Sequence, residues 1–463
     1  MKIQCTATSA IPKKMKQILI KQASIVNEGS IQVLDLLIIG ERIAKIEKHI
    51  NATPTTTVIN AEGLFLLPGV IDDHVHFREP GLTHKGSIYS ESMAAVAGGI
   101  TSYMDMPNTL PNVLTIELLE EKYALAAKNS VANFSFFMGV NQYNLEEALK
   151  INNEYVCGIT DDGLYFNSEE GILANYPTFL EQLFSKSDSL IALHSENDAI
   201  INSNTKSFRS KYGNEIPIAM HAQIRSEAAC VTATKNIIEL ANKNQNRVHI
   251  LHVSTLAEAN LMEFKTPIRQ KRLTAEVCIH HLWFSDQDYE KLGAKIKWNP
   301  SVKTEKDKHG LLQALLQDQI DIIASDHAPH TLPEKSGNYF NAHSGGPLVQ
   351  HALLAILEFY KQGKIPLTTI AKKMAHHVAD LYRIKDRGYI REGYFADLVL
   401  VNTQEHYKVD QTNLLYHCKW SPFEDTQFSS TIVTTFVNGH IAYDHGKIYP
   451  QEKGMRLQFE KER

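Results

Sequence analysis

With 463 residues, 43% of them hydrophobic and 21% charged, the chain has the composition of a globular protein with a sizeable core; this argues against disorder and, by length, for more than one domain. Its 47 basic and 52 acidic side chains leave a formal net charge of −5 with no long run of Lys or Arg, so no nucleic acid is expected as a partner. Lys2, Lys13, Lys14 and Lys16 are followed by no apolar stretch fit for a signal segment or a membrane span, and the five cysteines include no CxxC pair; we read a cytoplasmic protein with no membrane partner, disulfide framework or cysteine-held zinc.

In chain order, the runs QILIKQASIV, VLDLLIIGERIAKIE and TTVINAEGLFLLPG alternate apolar and polar residues between Gly-containing turns and predict short β-strands. Eight apolar, β-rich runs then alternate with helix-like stretches: PGVIDDHVHF, ITSYMDMP, NFSFFMGV, VCGITDD, LIALHSE, VHILHVS, RLTAEVCIHH and DIIASDHAP. That alternation is the pattern of repeated βα units, and eight parallel strands close into a TIM-type (β/α)8 barrel. Its span of roughly 315 residues exceeds the typical barrel of about 250 and leaves room for an insertion around residues 197–226. Beyond it, GYIREGYFADLVLVN and TIVTTFVNGHIAYDHGKI return to strand-like alternation. The expected protein is α/β, with residues 69–387 forming the barrel and residues 1–68 plus 388–463 forming a small β-sandwich.

Active sites of such barrels lie at the C-terminal ends of the strands. In Asp72-Asp73-His74-Val75-His76-Phe77-Arg78, a spacing of two puts His74, His76 and Arg78 on one face. Two imidazoles so placed suit one metal ion, and the guanidinium suits an anionic substrate group. His194, His252 and Asp326 end three further runs, so four His and one Asp, all metal-ligand types, are expected at one end of the barrel. A pair of metals also needs a bridging anion, for which the fourth run offers Asp161 and Asp162. Adjacent residues of a strand point to opposite faces, so only one of them can serve.

GVIDDHVHFREPGLTHKG, MDMPNT, HILHVST, EVCIHHLWFSDQDY and IIASDHAPH together resemble the dihydroorotases of the amidohydrolase superfamily, across nearly the whole chain. The resemblance implies two divalent metals, Zn²⁺ by the His and carboxylate donors. His74 and His76 would hold the first and His194 and His252 the second, with Asp326 binding the first and acting as catalytic proton shuttle. Many relatives bridge the metals with a carbamylated lysine; this chain has none in GITDDG, and Asp162, which shares strand parity with Thr160 at the lysine position, is favoured over Asp161 as the bridge. Arg78, Asn108 and His330 match the positions that hold the substrate carboxylate. Cys278, and the Ser344-Gly345-Gly346-Pro347 loop, depart from relatives near the site.

The reaction implied is reversible interconversion of (S)-dihydroorotate and N-carbamoyl-L-aspartate in de novo pyrimidine synthesis, by attack of a metal-bridged hydroxide. A homodimer is implied as well. The alternatives are a hydantoinase, dihydropyrimidinase or allantoinase acting on neutral rings, against which Arg78 argues, and a catalytically silent assembly subunit, against which the intact histidines and Asp326 argue.

Overall fold

Alternation of apolar residues organises the N-terminal strands of the computed structural model, which describes residues 16–164 and 177–461. Strand β1 (Gln17–Asn27) pairs antiparallel with β2 (Ser30–Ile39), and β2 with β3 (Arg42–Glu47). A bulge at Gln22, whose φ is 56°, divides β1. Its first half pairs in parallel with β4 (Thr56–Asn60) and its second half with β5 (Phe65–Pro68), so the sheet forks.

The eight runs expected as barrel strands are all strands and all parallel. They are β6 (Val70–Val75), β7 (Ile100–Asp105), β8 (Asn133–Phe136) continued by β9 (Met138–Gly139), and β10 (Ile159–Thr160), followed by β11 (Ile191–Leu193), β12 (Val248–Ile250), β13 (Leu273–Cys278) and β14 (Ile322–Ala324). The seam closes where Val75 bridges His327 and the His76 amide donates to the His327 carbonyl at 2.7 Å. Helices cover the outside, several started by reciprocal caps such as Ser87 with Ser90 and Thr304 with Asp307. The insertion after β11 is largely helical: Asn197 caps a helix over Asp198–Tyr212.

The chain then returns to its first sheet. Strand β15 (Leu398–Asn402) lies antiparallel to β5, and after a separate two-stranded ribbon of β16 (Tyr407–Lys408) and β17 (Gln427–Phe428), strands β18 (Thr431–Val437), β19 (His440–Asp444) and β20 (Lys447–Ile448) complete nine strands in one sheet. Ile18, Ile20, Leu36, Ile38, Leu66, Leu398, Leu400 and Phe436 fill the core of this sandwich. The last described residues leave it for the barrel. Met455 and Leu457 exchange backbone hydrogen bonds with Phe134, and Leu457 and Phe459 join Tyr382, Ile71 and Ile322 in an apolar plug near the beginnings of the barrel strands. Among the described residues no helix is long and apolar enough to cross a membrane.

Candidate active site

At the opposite end of the barrel, four imidazoles from three strand ends, those of β6, β11 and β12, converge on the Asp162 carboxylate. Its Oδ2 lies 3.5 Å from His74 Nε2 and 3.4 Å from His76 Nε2. Its Oδ1 lies 3.5 Å from His194 Nδ1 and 3.4 Å from His252 Nε2. One carboxylate therefore offers one oxygen to each of the two histidine pairs. Asp326 joins the first pair, its Oδ1 3.5 Å from His74 Nε2 and 3.3 Å from His76 Nε2. Asp161 faces elsewhere, accepting the His194 amide at 3.0 Å.

The outer nitrogens of three of these rings, His74, His76 and His194, are held by partners further back. Glu276 on β13 meets His74 Nδ1 at 2.6 Å and accepts the His252 amide on the same oxygen at 2.9 Å. Asn108 Oδ1 meets His76 Nδ1 at 2.7 Å. Glu196, itself paired to Arg225 at 2.7 Å, meets His194 Nε2 at 2.9 Å. An imidazole whose second nitrogen is so engaged has its orientation and tautomer set for a metal. Gly163 belongs to this arrangement: its φ is 70°, and a Cβ there would run into the Asn108 amide.

Electrostatics follow from this crowding. Burial alone would raise the Asp162 carboxyl, but His194, His252 and His74 hold it well below the usual carboxylate range. Burial works against the charged forms of the rings too, yet Glu276, Asp326 and Asp162 raise His74 well above an ordinary histidine, and Asp162 with Glu196 pushes His194 up to about 10. Asp161, by contrast, is pushed up to about 7 by burial.

His74, His76 and Asp326 form one group whose ligand atoms lie within 4.8 Å of one another, and His74, Asp162 and His252 form another. His74 Nε2 and Asp162 Oδ2 are fully buried with no hydrogen-bond partner among the described residues. Four imidazoles around two carboxylates, with His194 Nδ1 and His252 Nε2 drawn to 3.0 Å of each other on one side and His74 Nε2 and Asp162 Oδ2 unsatisfied on the other, fit a pair of divalent cations. The backbone is held under strain to make this fit: His252 and Asp326 have φ of 39° and 49°.

Arg78 lies beside the cluster, buried, with φ of 70°. Its Nε donates to the Pro329 carbonyl at 3.1 Å and its Nη2 sits 3.2 Å from His330 Nε2. Among the described residues no carboxylate pairs with it directly; burial lowers it to about 10, against the pull of Asp105 and Asp326. The structure thus brings Arg78 and His330 together, and places Asn108 behind His76.

Sequence reasoning missed Glu276, Glu196 and Lys85, the last 3.2 Å from His330 Nδ1. Glu276 lies in TAEVC on an expected barrel strand, so a charged residue there was a usable signal. Glu196 and Lys85 carry no comparable local mark. Cys278 is fully buried against Glu276, its thiol pushed well up by burial. The 344–347 loop is pinned by Gly345 N to the Lys297 carbonyl at 2.8 Å and by Lys335 Nζ to the Gly345 carbonyl at 2.6 Å.

A (β/α)8 barrel with a cradle for divalent cations at its mouth and a sandwich alongside defines the metal-dependent hydrolase class. A model of the amidohydrolase family matches residues 65–442, and the chain belongs to that family. It is 31% identical over 421 residues to the dihydroorotase of Methanosarcina acetivorans, covering 89% of this chain and 88% of that protein. It is 29% identical over 436 residues to the allantoinase of Bacillus velezensis, covering 93% and 94%. Among solved structures, the L-hydantoinase (dihydropyrimidinase) from Arthrobacter aurescens superposes with a TM-score of 0.85 at 24% identity, over 93% of this chain and 97% of that one. That likeness is one of fold.

Proposed function

We propose that this protein is a dihydroorotase, opening and closing the ring between (S)-dihydroorotate and N-carbamoyl-L-aspartate. The observation that carries the reading is Arg78: a buried guanidinium with no carboxylate paired to it among the described residues, beside a cluster suited to metals. An unpaired buried charge is costly, and a substrate carboxylate answers it. A ring without that carboxylate would leave it unanswered.

In this reading His74, His76 and Asp326 hold one cation, His194 and His252 a second, and Asp162 shares its two oxygens between them. When bound, a divalent pair supplies Lewis-acid polarisation of the ring carbonyl and acidification of water. Zn²⁺ is the cation we favour. Arg78 and His330 grip the substrate carboxylate, with the Asn108 amide nitrogen as a further donor, and so turn the scissile amide toward the cluster. Asp326 takes the proton of the attacking water and delivers it to the departing ring nitrogen. The backward reaction uses the same groups in reverse.

The test is ring opening of dihydroorotate, followed by ultraviolet absorbance on purified protein whose metal content is measured in parallel, with dihydrouracil, hydantoin and allantoin as comparison substrates. We expect turnover of dihydroorotate, with Arg78→Met losing about 10- to 100-fold or more in kcat/KM, the range of a hydrogen bond to a charged group. Metal-loaded protein that turns over only a neutral ring would make it an enzyme of the kind its allantoinase relative is named for. Metal-loaded protein inactive on all four would point to a silent subunit.

A further inference from the structure

Behind His330 stands Lys85, a side chain the reaction above does not use. Its ammonium is nine-tenths buried, 3.1 Å from Glu334 Oε1 and 3.2 Å from His330 Nδ1. On the other side of the same ring, Arg78 Nη2 is 3.2 Å from Nε2. Ammonium and guanidinium groups can only donate hydrogen bonds, whereas a neutral imidazole has one acceptor nitrogen. Two donors therefore address a ring that can answer only one of them.

Several contacts decide which contact is the bond. Glu334 fixes Lys85 and favours its charged form against burial and Arg78, which lower it, and is itself anchored by the Thr331 amide at 2.9 Å and the Thr331 hydroxyl at 3.0 Å. Its other oxygen lies 3.8 Å from His330 Nδ1, beyond hydrogen-bond reach. The ring cannot easily turn away: it stacks on His343 with centroids 4.9 Å apart, and the His330 carbonyl accepts from Trp420 Nε1 at 2.7 Å. Burial, with Arg78 and Lys85 alongside, outweighs the opposing pull of Glu334 and holds the imidazolium form well below the usual histidine range, which favours a neutral ring.

We infer that Lys85 is a positioning residue that donates to His330 Nδ1, fixes the ring proton on Nε2, and so aims an imidazole N–H and the Arg78 guanidinium at one point where only an anion is welcome. The inference rests on the dihydroorotase reading and extends it from the groups that touch the substrate to the one that sets their polarity. A carboxylate placed there accepts from both donors and relieves their confrontation. A ring that lacks it leaves two buried donors opposed, and sites built around a hydrogen bond discriminate strongly against such analogues.

Histidine-selective ¹⁵N labelling of the wild-type enzyme reads the tautomer directly, with the His330 signals assigned by their loss in His330→Gln. The expected result is protonation at Nε2. Kinetics then compare Lys85→Met, which removes the donor, with Lys85→Arg, which keeps one. For Lys85→Met the KM for dihydroorotate should rise about 10- to 100-fold, the scale of a charge-assisted hydrogen bond, with the loss falling on KM more than on kcat. Lys85→Arg should recover most of it, and turnover of dihydrouracil should not fall in parallel. Protonation at Nδ1 in the wild type, or equal losses on charged and neutral rings, would overturn the inference. If Lys85→Met does not fold, the wild-type tautomer alone decides. Wild-type protein that binds metal but ignores dihydroorotate would instead sink the functional reading, while the tautomer would still report on Lys85.

Discussion

At the floor of the barrel, Tyr382, Leu457 and Phe459 close over Ile71, Phe137 and Ile322, and Asp73 is tied to the chain there through one of its two oxygens, Oδ2. The Tyr382 hydroxyl donates to Asp73 Oδ2 at 2.8 Å, and His249 Nε2 lies 3.5 Å from that oxygen. At the mouth, a few residues along the same strands, His74 Nε2 and Asp162 Oδ2 are buried without hydrogen-bond partners, and Arg78 without a paired carboxylate, among the described residues. Arg78, His252 and Asp326 also take up left-handed backbone angles, which cost roughly 1–3 kcal/mol each for a residue other than glycine. The floor is mainly apolar packing of the chain against itself, with Asp73 Oδ1 left over among the described residues, whereas the mouth gathers several charged and metal-ligating groups that face a guest. Stability and chemistry are thus separated along the barrel axis.

Substitutions at the two ends should break this comparison if it is wrong. The largest effect on function is expected for Asp326→Asn, which keeps shape but removes the proton acceptor: kcat should fall about 10²- to 10⁴-fold with the melting temperature little changed. A melting temperature that collapsed with kcat would show that the mouth carries stability after all. Next comes Glu276→Gln. Because one Glu276 oxygen meets both His74 Nδ1 and the His252 amide, the change should weaken metal binding about 10- to 100-fold, measured by equilibrium dialysis, for both equivalents. Loss confined to one equivalent would mean that the two histidine pairs are supported separately. The smallest effect on turnover belongs to the floor. Leu457→Ala should cost about 2–5 kcal/mol in denaturant unfolding while turnover per bound metal stays as it was.

Legibility in the sequence followed the range of the interaction. The eight barrel strands were readable because each is a short apolar run whose character is local, and His74, His76 and Arg78 because a period of two is local too. The parity argument for Asp162 also needed only neighbouring residues, and in the structure it is Asp162 whose oxygens face the four imidazoles. The insertion was readable as extra length but not as the helix over Asp198–Tyr212, since its Asn197 cap stands in a polar stretch of weak periodicity. Asn108 was matched to the substrate by resemblance alone, and its contact with His76 could not be read from MDMPNT.

What the sequence by itself determined is the alternation of strands and helices, and the arrival of His and Asp side chains at one end of each strand, because both follow from backbone periodicity and chain order. Only the tertiary structure decided which partners those side chains meet. His74 and Glu276 are 202 residues apart, and Lys85 and His330 are 245 apart, with nothing in either local pattern to announce the pairing. Barrel closure sets those distances, and through them which partner each imidazole nitrogen meets.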